Sequence, residues 1–124
     1  MITGAPAEKM AMLAAIIDSS DDAIVSKNLN GIITSWNKGA ENIFGFSEQE
    51  AIGEHISLII PQERLSEEEM IINKLKRGEK IDHFETIRRT RSGKLLDISL
   101  SISPIRNDSG QVIGASKSAR DITK

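Results

Sequence analysis

Residues 33–47, ITSWNKGAENIFGFS, begin in the pattern of a β-strand and continue in the pattern of an α-helix. The β-branched residues before Trp36 favour an extended chain. After Asn37 the apolar residues recur at helical spacing, so that one helical face carries Ala40, Ile43 and Phe44. This junction predicts a domain of mixed α and β structure.

Local signals mark where the following helices begin and end. Gly45 can adopt the left-handed conformation that ends a helix. Ser47–Glu50 (SEQE) matches a capping box, in which a hydroxyl and a carboxylate satisfy free amides at a helix start. Ser66–Glu69 (SEEE) repeats the pattern, and we interpret its carboxylates as stabilising a helix start through the macrodipole. This second box predicts a helix that ends at Gly78 and buries Ile71, Ile72 and Leu75.

Upstream of the opening stretch, the sequence predicts a helix followed by a hairpin. The short β-rich runs Ala23–Lys27 and Ile32–Trp36 flank the turn Asn28–Gly31, whose Asn and Gly residues tolerate positive φ. Before them, residues 7–18 carry apolar side chains at the spacing of one helical face, namely Met10, Leu13, Ala14 and Ile17. We therefore expect an N-terminal amphipathic helix.

The last third of the chain predicts three strands. Asp82–Thr90 forms the first, and Leu96–Ser103 alternates apolar and polar residues with the period of a strand that has one core face. After a turn at Asn107–Gly110, a final strand extends from Gln111 to about Ile122. The whole pattern indicates an α+β fold with helices packed over one face of an antiparallel sheet.

Composition limits the classes of function. The chain has 124 residues, a net charge of −2 and no cysteine, which excludes disulfides, thiolate metal sites and cysteine nucleophiles. The slight negative charge disfavours nucleic-acid binding. No apolar tract of about 18 residues is present, and no basic segment leads from Met1 into an apolar run. We expect a cytoplasmic protein of one domain that is not inserted in a membrane.

Several segments together resemble one known family. Residues 33–47, followed by Glu50–Gly53 and Ile59–Pro61, resemble the N-terminal box of PAS domains. Phe84–Thr86 and later segments resemble the C-terminal box, which closes with a DIT-type motif; these segments are Arg91–Gly93, Ser103–Ile105 and Ala119–Thr123. The likeness extends over nearly the whole chain, from about Leu13 to Thr123.

The resemblance implies a PAS-like five-stranded antiparallel sheet in the order 2-1-5-4-3, with short helices that enclose a cavity against its inner face. We divide the chain into an N-terminal helix and lead-in, residues 1–21, and a PAS core, residues 22–124. A PAS domain of this kind is expected within a larger signalling protein, such as a two-component histidine kinase or a cyclase.

Alternation along the strands indicates which side chains line such a cavity. On the central strands, the inward side should carry Phe84, Thr86 and Arg88, with Thr86 and Arg88 as polar handles. Arg88 suits a small organic acid because guanidinium pairs with carboxylates in a bidentate manner, although a surface position for Arg88 stays open. The candidate ligand-binding residues are Val25, Trp36, Ile72, Phe84, Thr86, Arg88, Ile98, Leu100, Ile102, Ile113 and Ala115.

The residue types present limit which cofactors the domain is expected to bind. Flavin-adduct members of the family use a cysteine, and this chain has none. Haem-binding members use a proximal histidine on the long helix, where this chain carries Glu67–Glu69. Covalent flavin and haem are therefore disfavoured, while non-covalent flavin stacked on Trp36 stays open. His55 and His83 show no metal-binding spacing, and we expect no metal site, no catalytic residues and no enzymatic activity.

Two functions fit these features. The first is a sensor that binds a small ligand in an internal cavity and relays the signal to an attached effector, through Asp121 at a strand-to-helix junction and Thr123 as the cap of an outgoing helix. The alternative is a ligand-free module for dimerisation or interaction. In either case we expect a homodimer built on the N-terminal helix through Met10, Leu13 and Ile17, with Met12 and Ile16 on a second side.

Overall fold

The computed structural model describes residues 6–124. Residues 1–5, on which the argument against a secretory signal depends, lie outside the described part. The chain forms, in order, α1 (Pro6–Asp18), β1 (Ala23–Asn28), β2 (Ile33–Trp36), α2 (Lys38–Phe44), α3 (Glu48–Ala51), two short 3-10 helices (Ile56–Ile59 and Gln62–Arg64), α4 (Leu65–Lys76), β3 (Ile81–Arg89), β4 (Leu95–Arg106) and β5 (Val112–Asp121).

The five strands form one sheet in the order β2-β1-β5-β4-β3, and every neighbouring pair is antiparallel. This order confirms the one implied by the family resemblance. The inner face of the sheet buries apolar side chains, while helices α2 and α3 contact β1 and β2, and helix α4 contacts β4 and β5. Among residues 6–124, no helix is long and apolar enough to span a membrane.

Asn37 joins the first helix, the first strand and helix α2. Its Oδ1 atom accepts hydrogen bonds from the amides of Ile24 at 2.8 Å and Ala40 at 2.9 Å. Its Nδ2 atom donates to the carbonyl oxygens of Ile17 at 2.8 Å and Asp22 at 3.1 Å. The buried amide is therefore fully satisfied, and it caps helix α2 while fixing the end of helix α1.

The helix signals were confirmed in the first half of the chain and partly wrong in the second. Gly45 ends helix α2 with φ of 84°, and the Ser47–Glu50 capping box is complete. Helix α4, however, begins at Leu65, so Ser66 lies within it and no side chain caps its start. The carboxylates of this segment have other partners, described below.

The inward direction expected for Ile113 was wrong. Ile113 is 49% exposed, whereas Ala115 is buried. The register between β4 and β5 shifts here, because Ile105 pairs with Gly114 and the next residue, Arg106, pairs with Val112. A bulge of this kind leaves one residue unpaired and reorients its side chain, which simple alternation does not anticipate.

Replacing Asn37 with Ala should destabilise the fold by about 3 kcal/mol, because the change removes a helix cap and leaves buried backbone groups without partners. Urea denaturation followed by circular dichroism measures this loss. Asn73→Ala, on the exposed side of helix α4, is the matched control and should change stability by less than about 0.5 kcal/mol. Similar losses in the two variants would contradict the role assigned to Asn37.

Candidate functional site

Four ionisable side chains lie inside the domain, between helix α4 and the sheet. Lys27 of β1 and Arg88 of β3 are each 1% exposed, Lys117 of β5 is 4% exposed and Glu68 of α4 is 9% exposed. Lysine, arginine and glutamate are almost never buried to this degree unless they are paired. We call these four residues, together with Glu67, the buried ionic cluster.

The two lysines share one carboxylate. Strands β1 and β5 are neighbours, and their register pairs Val25 with Lys117, which places Lys27 and Lys117 diagonally on the inner face. Lys27 Nζ forms an ion pair with Glu68 Oε2, and Lys117 Nζ lies 3.4 Å from Glu68 Oε1. A single side chain of helix α4 therefore neutralises charge from two adjacent strands.

Glu67 binds the second half of the cluster. Its carboxylate accepts hydrogen bonds from Thr86 Oγ1 at 2.7 and 2.9 Å, and from Arg88 Nη1 at 3.0 Å. Arg64 Nη1 donates to the same carboxylate at 3.0 Å from the more exposed side. Thr86 and Arg88 thus face inward as predicted, and an exposed position for Arg88 is excluded.

One donor of Arg88 has no partner. Nη1 donates to Glu67, to Thr86 Oγ1 at 3.2 Å and to the carbonyl oxygen of Ile87 at 2.8 Å. Nη2 is buried and makes no hydrogen bond with the described residues. Most buried polar atoms in native proteins are satisfied, so a free guanidinium donor here calls for an explanation.

When Lys117 is protonated, the cluster carries more positive than negative charge, since three cations face two carboxylates. Burial and the nearby Lys27 lower the pKa of Lys117 from 10.5 to about 7, against the attraction of Glu68. Burial likewise lowers the pKa of Arg88. Although burial by itself raises the pKa of Glu68, the attraction of Lys117 and Lys27 outweighs it and the pKa falls. The interior is therefore electropositive.

The remaining predicted ligand residues are distributed over the core. Buried apolar side chains of the same sheet face include Val25, Ile98, Leu100, Ile102 and Ala115, whereas Ile72 and Phe84 are only half-buried. Trp36 is 3% exposed, its ring packs against Phe44 with centroids 5.7 Å apart, and its Nε1 donates to the carbonyl oxygen of Phe46 at 2.9 Å. These contacts engage Trp36 in the core, so it does not fit the role of a flavin-stacking residue.

Sequence reasoning missed Lys27, Lys117 and both glutamates. The signal was nevertheless present, because Lys27 has the same strand parity as Val25, and Lys117 has the same parity as Ala115 and Ala119. Alternation therefore places both lysines on the inner face. Glu67–Glu69 were interpreted as a helix-start feature, but Glu67 and Glu68 instead bind the sheet.

The C-terminal residues form a local hydrogen-bonded clamp beside β4. Asp121 Oδ1 accepts from the Thr123 amide at 2.9 Å, and Thr123 Oγ1 accepts from the Asp97 amide at 2.9 Å. The Ile122 amide donates to the carbonyl oxygen of Asp97 at 2.9 Å. Thr123 Oγ1 thus binds the start of β4.

A solvent-open cleft lies beside this clamp. Its volume is about 500 Å³, and it is lined by Asp97, Ile122 and Lys124 together with Arg64 and Thr86. Arg64 and Thr86 both bind Glu67 of the ionic cluster. The end of the chain and the cluster therefore share neighbouring residues.

Comparison with known proteins identifies the family. The family model described as the PAS fold matches residues 11–122. The chain belongs to the PAS family. This PAS domain is similar to the sensor protein FixL of Bradyrhizobium diazoefficiens, with 30% identity over 96 residues that cover 77% of the chain and 19% of FixL. The domain thus spans about a fifth of that relative's length.

Solved structures agree with this assignment. The PAS domain of a protein from Colwellia psychrerythraea has a TM-score of 0.84 and 29% identity, covering 93% of this chain and 98% of that one. The PAS domain of an HTR-like protein from Haloarcula marismortui has a TM-score of 0.79 and 20% identity, covering 94% and 93% of the two chains. PAS domains are in general sensory modules rather than catalytic ones.

Lys117→Met should flatten the rise of stability with pH between about 7 and 10. In that range the unfolded chain binds more protons than the folded one, because the folded pKa of Lys117 is lowered from 10.5 to about 7. Stability of the native protein should therefore increase as pH rises through this window, while that of the variant should change less.

Thermal melting of both proteins at several pH values between 6 and 10 tests this expectation. Lys94→Met, at an exposed turn, is the matched control. If the melting temperatures of the native protein and Lys117→Met change with pH in the same way across the whole range, Lys117 is not a buried, destabilised cation.

Proposed function

We propose that this PAS domain is a sensor that binds a small ligand at the buried ionic cluster and relays the event to an attached effector, such as a histidine kinase or a cyclase. The observation that carries the proposal is the unpartnered, buried Nη2 of Arg88 within an electropositive interior. Convergent polar groups with perturbed pKa values inside an apolar surround are typical of binding sites.

A purely structural role explains the cluster less well. Burying charged groups costs free energy, and well-packed apolar residues of similar volume often stabilise a core as much or more. Lys27, Lys117 and Arg88 lie among apolar neighbours such as Val25 and Ile98, where apolar side chains would suffice for stability. Their presence supports a function that requires positive charge at this place.

The relay is proposed to act through strand β5. Lys117 lies on β5, and the same strand ends at Asp121, whose carboxylate begins the clamp formed with Thr123 and Asp97. A ligand that repositions Lys117 or Glu68 would bias β5 and helix α4 together. The two states of such a relay need differ in free energy by only about a few kcal/mol.

A panel of small anions, cations and neutral compounds should contain at least one member that raises the melting temperature and shifts amide NMR signals near the cluster. The shifts should extend to the amides of Asp97 and Thr123. In Asp121→Ala, binding should persist while the shifts at these two amides disappear, because the carboxylate that orders the clamp is gone.

Asp108→Ala, in the exposed turn between β4 and β5, is the control and should leave the pattern unchanged. No binding from any chemical class would refute the sensor proposal. Binding with unaltered shifts at Asp97 in Asp121→Ala would refute the relay through the clamp and leave the sensor intact.

A homodimer through helix α1 is the second part of the proposal. Within a helix of 13 residues, five apolar side chains are between 39% and 70% exposed, namely Met10, Met12, Leu13, Ile16 and Ile17. A group of exposed apolar side chains on one short helix supports an interaction site. We propose that a second copy of the domain covers it, and that residues 1–21 form a lead-in separate from the PAS core.

The outer face of the sheet offers a complementary surface for that second helix. A cleft of about 410 Å³ lies there between Ser99, Ser101 and Ser118, with Asp22 and Arg120 at its side. Asp22 and Arg120 form a two-pronged ion pair at 3.2 Å. The small serine side chains leave room for the apolar residues of a helix.

Met10→Gln combined with Leu13→Gln should convert a dimer into a monomer, because it replaces apolar contact area with polar groups that water solvates. Sedimentation velocity at micromolar concentration measures the mass. Leu95→Gln, which alters an equally exposed apolar residue of β4, is the matched control and should leave the dimer intact. A dimer that survives the double substitution would contradict the interface.

The alternative, a ligand-free interaction module, is favoured by one observation. Among the largest fully buried side chains are Arg88 and Lys27, so side chains rather than open space fill part of the interior. If no compound of the ligand panel binds and the dimer depends on helix α1, the results would support this alternative.

A further inference from the structure

We propose that the ligand is a small organic dianion, one carboxylate of which takes the place of Glu68 between Lys27 and Lys117 while the other pairs with Arg88 Nη2. The proposal rests on the sensor function proposed above and names the chemical class that the site recognises. In the described structure, Glu68 then acts as an internal substitute for the ligand.

The charges of the cluster support a ligand with two carboxylates. Among the described residues, Lys27, Lys117 and Arg88 pair with the carboxylates of Glu67 and Glu68, and Arg64 adds a further cation to Glu67 from the exposed side. When a dianion displaces Glu68, the negative charges of the cluster rise from two to three and match Lys27, Arg88 and protonated Lys117. A monoanion in the same exchange would leave the imbalance unchanged, and a neutral ligand would increase it.

The scaffold holds the cations more firmly than the carboxylate. Lys27 lies on β1, which is hydrogen-bonded to β2 and β5, and Lys117 lies on β5, which is hydrogen-bonded to β1 and β4. Glu68 belongs to the first turn of helix α4, whose start has no side-chain cap. Helix α4 contacts the sheet through side chains rather than through a strand ladder, so Glu68 can leave while both lysines stay in place.

Arg88 supplies the second contact. Three hydrogen bonds fix its Nη1 atom, which orients the guanidinium plane, and Nη2 remains free. Carboxylates form strong, charge-assisted hydrogen bonds with guanidinium groups, with two parallel hydrogen bonds available when geometry permits. The unpartnered Nη2 is the kind of donor that an incoming carboxylate satisfies.

Proton uptake follows from the same geometry. The groups that face Lys117 are Lys27, Glu68 and Arg88, and Glu67 lies beyond Arg88. Burial and the nearby cations lower the pKa of Lys117 to about 7, against the attraction of Glu68. Replacing the single charge of Glu68 with the two charges of a dianion should therefore raise that pKa. Binding slightly above neutral pH should therefore take up a fraction of a proton from the buffer.

Isothermal titration with sodium malonate tests the proposal, using two buffers of different ionisation enthalpy at pH 7.5. The native domain should bind malonate with proton uptake, acetate more weakly, and malonamide not at all. Lys117→Met should weaken malonate binding by at least about tenfold and abolish the uptake, because it removes one charge-assisted contact.

Glu68→Gln should tighten malonate binding by about tenfold, since the competing carboxylate becomes neutral. Glu69→Gln, the exposed neighbour on the same helix, is the matched control and should leave the affinity unchanged. If malonate affinity increases equally in both variants, or does not change in Glu68→Gln, the proposal that malonate displaces Glu68 is overturned. If Glu68→Gln does not fold, proton uptake by the native domain decides, and binding without uptake overturns the proposal.

The outcomes separate this proposal from the sensor function. A native domain that ignores malonate and succinate but binds a neutral or cationic member of the panel would refute the dianion and leave the sensor intact. A domain that binds no compound would refute both.

Discussion

Lys27 and Lys117 project from adjacent strands onto one carboxylate of helix α4, and the position of that helix depends on this contact. Helix α4 buries Ile71 and Leu75 against the sheet, but its carboxylates bind the strands at one end only. Removing Glu68 leaves two buried cations uncompensated, whereas removing one lysine leaves a pair. Removing one partner of a buried ion pair therefore lowers the stability of the fold strongly, because a charge is left buried without a partner. The intact pair itself contributes little net stability.

The rest of the fold is held in a different way. Asn37 satisfies four backbone groups from α1, the loop between α1 and β1, β1 and α2, and the neighbouring Trp36 packs against Phe44. These neutral contacts are insensitive to charge. A region held by hydrogen bonds and apolar packing thus adjoins a region whose helix is also bound by ion pairs, and the proposal assigns the response to an anion to the ion-paired region.

Much of the fold could be predicted from the sequence because its signals are local. Alternation located β4, the Ser47–Glu50 box located α3, and Gly45 located the end of α2. The start of helix α4 could not be placed in the same way, because Glu67 and Glu68 bind distant strands instead of their own helix start. The direction of Ile113 also depended on a tertiary feature, the register shift between β4 and β5.

The site was only half accessible to sequence reasoning. Thr86 and Arg88 were identified because they alternate on the same strand side as Phe84, while Lys27 lies near a strand end where a charged residue is unremarkable. The partners of Lys117 are 90 residues away at Lys27 and 49 residues away at Glu68, and no local pattern joins them. Strand parity could have placed the lysines inward, but only the three-dimensional fold shows that one carboxylate binds both.

A crystal structure of the domain grown in sodium malonate would test the central claim most directly. The account predicts one malonate carboxylate within hydrogen-bonding distance of Lys27 Nζ and Lys117 Nζ, the other on Arg88 Nη2, and the Glu68 side chain displaced from between the lysines. Density that shows Glu68 still bound to both lysines, with no malonate in the interior, would contradict it.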